Sequence, residues 1–179
     1  MRQRALILDR DGVINVDSGY VGTRSRFVFQ LGVFPFLRAV QERGYRLAIV
    51  TNQSGVGRGY YTEKDYNDLT EWMLEAFRLE GVAIDLVLAC FCHKESIAPE
   101  FKRESFWRKP NPGMILEAAQ RLNLDLRRSA MIGDKDVDML AAQAAGVGKC
   151  LLFVKDDIAP TLEGVVNVNG FDRALKALT

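Results

Sequence analysis

Two carboxylates, Asp9 and Asp11, end an apolar run that begins at Ala5, and Gly12 follows them. Charge at the carboxyl end of a buried strand is costly unless it is used. Along extended backbone, side chains two residues apart point the same way, so Asp9 and Asp11 can address one reacting group. One can attack while the other moves a proton. Gly12 lets the chain turn away sharply and leaves room for a ligand. Asp-x-Asp-Gly alone is also the sequence of an ordinary polar turn. The rest of a phosphate and metal site therefore has to be found downstream.

Three further segments supply it. Thr51-Asn52-Gln53-Ser54-Gly55-Val56-Gly57-Arg58-Gly59 places a hydroxyl after an apolar run, backed by Gly-rich backbone that can donate to phosphate oxygens. Read alone, it is a flexible glycine loop. Arg108-Lys109-Pro110 brings fixed cations, and Lys109 can neutralise a transferring phosphoryl group. The nearby Lys102 and Arg103 read as a solvated basic patch. Gly133-Asp134-Lys135-Asp136-Val137-Asp138 adds carboxylates. Asp9 and Asp134, with a backbone carbonyl and waters, make an oxygen-rich set suited to Mg²⁺. Asp136 and Asp138 can serve only to start a helix, where the dipole favours acids.

These segments need elements to position them. Apolar runs at 4–8, 47–50, 84–89, 130–132, 150–154 and 165–168 read as strands. Between them, helical patterns span 33–43 (stopped by Gly44), 62–79, 112–122, 136–145 (closed by Gly146) and 172–178. Thr62 with Asp65 forms a weak capping box, and Pro112 suits a first helical position. Strands buried on both faces and separated by helices imply a mostly parallel sheet with helices on each side. Ligands of such sheets sit beyond the carboxyl ends of the strands. All the polar clusters follow strands, so they converge on one edge.

Length and composition narrow the class. The 179 residues suit one domain spanning 1–179 with a sizeable core. Lys and Arg number 24 against 23 Asp and Glu, which argues against nucleic acid as a partner. Three cysteines, an odd number, suggest no disulfide framework and a reducing, cytoplasmic location. No apolar stretch is long enough for a membrane span, and the short N-terminal one does not read as a signal peptide. A monomer is expected.

In order and strand placement, the segments resemble the motifs of the haloacid dehalogenase (HAD) phosphohydrolases: Asp-x-Asp-Gly, Thr/Ser, Lys, and Gly-Asp-x-x-x-Asp. The resemblance covers nearly the whole chain. Residues 9–15, 51–60, 108–114 and 133–135 are most similar to the heptose bisphosphate phosphatases, small members of that superfamily without a large cap domain. The resemblance implies an α/β, Rossmann-like HAD fold and a Mg²⁺-dependent phosphatase. Its substrate would be a sugar bisphosphate that loses its 7-phosphate, in the pathway to nucleotide-activated heptose for lipopolysaccharide core. Asp9 would be the nucleophile and Asp11 the acid and base. Mg²⁺ would be held by Asp9, the Asp11 carbonyl and Asp134. Thr51 and Lys109 would stabilise the phosphoryl oxygens, with Asn52, Gln53, Ser54 and Lys135 in the phosphate pocket. Asp17, Ser18, Gly19 and Tyr20 would line the sugar site, and Arg108 would recognise the second phosphate.

Other readings compete. Histidinol-phosphate phosphatases usually carry Asp where this chain has Ser54, and lack the Arg58-Gly59 pair. The phosphatase domain of polynucleotide kinases shares the Thr-Asn-Gln…Arg-Gly pattern, and a 3′-phosphatase would need a basic groove with stacking groups. A non-catalytic phosphate-binding module would be expected to lose Asp9, Asp11 or Lys109. One departure concerns zinc. The heptose enzymes commonly hold it with Cys-x-His and Cys-x-Cys pairs. Here Cys90 and Cys92, with His93 adjacent, face a second pair replaced by Ser105 and Trp107. That falls short of a closed tetrahedral set, so no structural zinc is expected. Phe106 and Trp107 are expected to pin the loop by apolar packing instead.

Overall fold

The computed structural model describes residues 2–154 and 162–178. Six strands, β1 (Ala5–Leu8), β2 (Arg46–Asn52), β3 (Leu86–Cys90), β4 (Ala130–Gly133), β5 (Lys149–Phe153) and β6 (Val165–Val168), form one sheet in the order β3-β2-β1-β4-β5-β6. Every neighbouring pair is parallel. Helices α1 (Val33–Glu42), α3 (Glu63–Leu79) and α6 (Phe171–Ala177) cover one face, and α4 (Gly113–Arg121) and α5 (Asp136–Ala145) the other. A short helical turn, α2 (Ser54–Gly57), follows β2.

The period-2 alternation of a strand sorts the core. Leu6 and Leu8 of β1 join Leu47, Ile49, Ala130 and Ile132 beneath α1, α3 and α6. Ala5 and Ile7 join Ala48, Val50 and Met131 beneath α4 and α5. Both faces of β1 are fully buried, which is why its sequence is an unbroken apolar run rather than an alternating one. The capping box of α3 is made in full: the Asp65 amide donates to Thr62 Oγ1, and the Thr62 amide donates to Asp65 Oδ2.

Element boundaries differ from the sequence reading in ways that matter at the site. β2 extends through Thr51 and Asn52, because β3 supplies Ala89 and Cys90 as partners. Pro112 is the N-cap of α4 rather than its first residue. The glycine-rich segment is not a flexible loop: it winds into α2, and Gly55 and Val56 are buried there. Among the described residues, no large cap covers the sheet edge. The long connections after β1 and β3 hold only the short turns Arg24–Arg26 and Pro99–Phe101. Among the described residues, no helix is long and apolar enough to cross a membrane.

Gly57 is the contact that docks the connection after β3 onto α2. Its carbonyl accepts from the Ile97 and Ala98 amides. A Cβ there would overlap Ser96 Oγ and the Phe91 carbonyl oxygen. Gly57→Ala is therefore expected to cost about 1–3 kcal/mol, as overpacking of a tight site does, read from the urea midpoint at unchanged slope. A midpoint equal to wild type would show that this connection is loosely seated.

Candidate active site

β1 and β4 lie side by side at the point where the strand order reverses, the place where such sheets bind ligands. The Asp9 amide donates to the Ile132 carbonyl at 3.0 Å, carrying the pairing one residue past the strand. Asp9 and Asp134 thus emerge from adjacent strand ends. The loop before α4 delivers Lys109, whose ammonium is buried. It lies 2.8 Å from Asp9 Oδ1 and 2.6 Å from Asp138 Oδ1, and it donates to the Val50 carbonyl at 2.9 Å. Asn52 fixes the loop by reciprocal bonds: its Nδ2 donates to the Lys109 carbonyl at 3.0 Å, and its Oδ1 accepts from the Lys109 amide at 3.1 Å. The second hydrogen bond to Asp9, from the Arg10 amide, also lands on Oδ1.

The electrostatics are those of too many carboxylates for one ammonium. Burial pushes the Asp9 carboxyl up to about 7; Asp138 adds to this and Lys109 opposes it. Burial likewise pushes Asp134 up to about 6, against Lys135. Burial pulls the Lys109 ammonium down, but Asp9 and Asp138 outweigh it and its pKa is raised. Asp9, Asp134 and Asp138 bring one oxygen each within 4.8 Å of one another. Asp134 Oδ1 is buried without a hydrogen-bond partner. Gly12, at φ 93°, passes so close that a Cβ would overlap the Asp134 carboxylate. A hard divalent cation such as Mg²⁺ fits this donor set. Asp138 is already engaged: Oδ1 faces Lys109, and Oδ2 accepts from the Lys135 amide at the start of α5. Asp9 and Asp134 are the freer ligands, and Asp138 is the counter-ion of Lys109.

A cleft of about 280 Å³ opens above these groups. Asp9, Asp11, Asp17, Gly19, Tyr20, Asn52, Gln53, Ser54, Arg108, Lys109 and Lys135 all line it. Thr51 lies buried beneath, its Oγ1 accepting from Gln53 Nε2. Ser18 does not line the cleft; its carbonyl is held by Arg26. Lys135 Nζ lies 2.8 Å from Asp17 Oδ2. Burial alone would raise the Asp17 carboxyl, but the bonds from Lys135 and the Gly19 amide hold it below its usual range. Arg108 is half-buried and donates to the Cys92 carbonyl at 3.2 Å.

A strand end with a buried carboxylate, a lysine tied to it and a cluster of acids suits phosphoryl transfer, and comparison with known proteins points the same way. A HAD-hydrolase-like family model matches residues 106–157. The chain is 49% identical over 157 residues to D-glycero-alpha-D-manno-heptose-1,7-bisphosphate 7-phosphatase of Burkholderia mallei, covering 88% of this chain and 83% of that one. It is 48% identical to D-glycero-beta-D-manno-heptose-1,7-bisphosphate 7-phosphatase of Vibrio cholerae, over 85% and 82% of the two chains. The crystal structure of D,D-heptose 1,7-bisphosphate phosphatase from B. bronchiseptica, complexed with magnesium and phosphate, superposes with a TM-score of 0.83 at 25% identity, over 98% and 97% of the chains. The chain belongs to the HAD phosphatases. Within them it groups with the heptose bisphosphate phosphatases.

Several residues of this HAD phosphatase site escape a linear reading. Tyr61 lines the cleft and donates to Gln53 Oε1 at 2.6 Å. Val137 lines it from the first turn of α5. Arg10 and Asn15 are buried against Asp11. Nothing in the spacing flags Tyr61. Asp138 does more than start a helix, and the Gly-Asp-x-x-x-Asp spacing is the signal that could have found its second task. The loop before Lys109 needs one correction. Phe106 does not pin it by apolar packing: its side chain is 61% exposed, and what ties it in is its backbone carbonyl, which accepts from the Gly113 amide. Trp107 packs partly against the α4 side of the core, and polar clamps hold the rest. Cys90 and Cys92 are buried. The His93 ring lies 3.1 Å from Arg58 Nη2, and its Nδ1 accepts from the Glu95 amide.

The raised carboxyl values set a pH dependence. Unfolded, both carboxyls release their protons near 3.8; folded, Asp134 holds its proton to about pH 6 and Asp9 to about pH 7. Their contribution to stability without metal is full below pH 4 and is lost as pH rises through 6 and 7. A cation competes with those protons. The melting-temperature gain from millimolar Mg²⁺ is therefore expected to grow between pH 5 and pH 8, read by differential scanning calorimetry. An equal gain at both ends would show that these carboxylates are not the ligands.

Proposed function

We propose that this phosphatase removes the 7-phosphate of a D-glycero-D-manno-heptose 1,7-bisphosphate through an aspartyl-phosphate on Asp9, as a step toward nucleotide-activated heptose. The observation that carries the reading is the buried Lys109 ammonium, which holds Asp9 by Oδ1 and leaves Oδ2 facing a cleft with Arg108 on its wall. Asp9 Oδ2 attacks phosphorus and the bond from phosphorus to the sugar oxygen breaks. Asp11 gives its proton to that leaving oxygen. Asp11 then takes a proton from the water that attacks the aspartyl-phosphate, releasing inorganic phosphate and restoring Asp9. The Thr51 hydroxyl and Lys109 donate to the phosphoryl oxygens. Mg²⁺ held by Asp9, Asp134 and the Asp11 carbonyl would supply the positive charge that lets two anions approach.

Arg108 recognises the distal phosphate, since a second anion needs a second fixed cation and Lys109 is engaged at the first. A small sugar phosphate rather than nucleic acid suits the near-neutral charge. A reducing, cytoplasmic setting suits the free, buried Cys90, Cys92 and Cys150. The loop carrying Lys109 needs no structural zinc, because His93 is turned to Arg58 and Glu95.

Phosphate release from both anomers of the heptose bisphosphate tests the assignment, since relatives of similar identity carry names with opposite anomers. Asp9→Asn is expected to lower turnover by about a thousandfold or more; a variant with near-normal release would end the reading. Arg108→Ala is expected to cost about ten- to a hundredfold in kcat/KM on the bisphosphate, the worth of one charge-assisted hydrogen bond, and much less on the matching monophosphate. Equal losses on both would show that Arg108 is not the discriminator.

A further inference from the structure

Arg10 is the largest fully buried side chain among the described residues, only 1% exposed, and no step above uses it. A guanidinium out of water is costly unless its donors are placed; Nη1 is buried without a partner, so the destinations of Nε and Nη2 are informative. Nε and Nη2 reach Asp11 Oδ1 at 3.3 and 3.0 Å, and Nη2 reaches Asp11 Oδ2 at 2.9 Å. The same Nη2 donates to the Val21 carbonyl at 2.7 Å. The Phe27 ring lies 5.9 Å from the guanidinium carbon. Adjacent side chains on a strand point to opposite faces. Here a bend at Arg10 brings the two together.

We propose that Arg10 is a positioning residue for Asp11, and that it ties the acid to the loop that faces the sugar. A general acid must hold one oxygen within hydrogen-bond reach of the leaving atom, yet an Asp side chain has several staggered rotamers to choose from. A planar fork grips both carboxylate oxygens and fixes the plane of the group, which a point-charge ammonium cannot do. Asn15 Nδ2, at 2.9 Å from Oδ1, and Gln53 Nε2, at 2.7 Å from Oδ2, complete the grip. Through the Val21 carbonyl, the nitrogen that holds Asp11 also holds the end of the loop whose Asp17, Gly19 and Tyr20 line the cleft. One nitrogen thus holds both the acid and the wall that faces the sugar.

The inference rests on Asp11 being the proton donor, and the test separates the two. A sugar alkoxide must be protonated as it leaves, whereas p-nitrophenolate leaves with little help. The kcat/KM values for the heptose bisphosphate and for p-nitrophenyl phosphate are compared in wild type, Asp11→Asn, Arg10→Lys and Arg10→Met, with circular dichroism to establish folding. Asp11→Asn and both Arg10 variants are expected to lose about a hundredfold or more on the sugar ester and less than about tenfold on the aryl ester. Arg10→Lys keeps the charge and most of the volume, so it carries the test even where Arg10→Met does not fold. Equal losses of Arg10→Lys on both esters, or no loss on either, would overturn the positioning role while leaving Asp11 as the acid. No ester difference in Asp11→Asn would overturn the acid role and this inference with it.

Discussion

The Lys109 ammonium is buried among Asp9, Asp138 and the Val50 carbonyl, so one charge ties together a strand end, a helix start and a loop. Removing a cation from water costs several kcal/mol unless every donor is met, and all three donors are met here. The constraint propagates outward. Asn52 must clamp the Lys109 backbone, so β2 must run on through Thr51 to place it. Asp138 must reach inward from the first turn of α5, and its other oxygen caps the Lys135 amide. Gly133 must be a glycine, since a Cβ there would overlap the Asp138 side chain.

One ammonium does not balance the carboxylates around it. Burial holds Asp9 near 7 and Asp134 near 6, so the site resists becoming fully anionic on its own. In the proposed reaction a carboxylate must nonetheless be ionised to attack, and it would meet a phosphate that is itself an anion. The same excess of negative charge suits a hard cation.

The sheet and the site edge were legible from the sequence because parallel strands buried on both faces must be continuous apolar runs, and β1 is one. That Asp9, Asp11, Lys109 and Asp134 would share one edge was legible because each follows an apolar run that must be a strand of the same parallel sheet. What the sequence concealed depends on three-dimensional closure. Gln53 can be assigned to a phosphate from its place in a glycine-rich segment, yet its Nε2 is shared between Asp11 and Thr51 and its Oε1 is taken by Tyr61. Tyr61 sits eight residues away with no period to mark it. The glycines of α2 look like flexibility, but a Cβ at Gly55 would overlap the Tyr61 ring, so that glycine serves packing. Phe106 illustrates the opposite error: a large apolar residue was given a buried role, yet its side chain is exposed and its backbone carbonyl, bonded to Gly113, is what ties the loop.

With no large cap, the cleft takes its walls from loops, and those loops are held by polar ties rather than by a second core. Arg26 donates to three successive carbonyls, those of Ser18, Gly19 and Tyr20. Tyr20 sits in left-handed backbone at φ 48°, a conformation that costs a bulky residue energy and persists only where its surroundings over-determine it. Its ring is set 4.3 Å from that of Tyr60 and 5.9 Å from the Arg58 guanidinium carbon, and Arg58 in turn pairs with Glu95. Asp17 is held across the cleft by Lys135. The wall that would meet a sugar is therefore built before any ligand arrives. A pre-formed wall loses little freedom on binding, which lets a small domain select its substrate without the closing motion that a cap would supply.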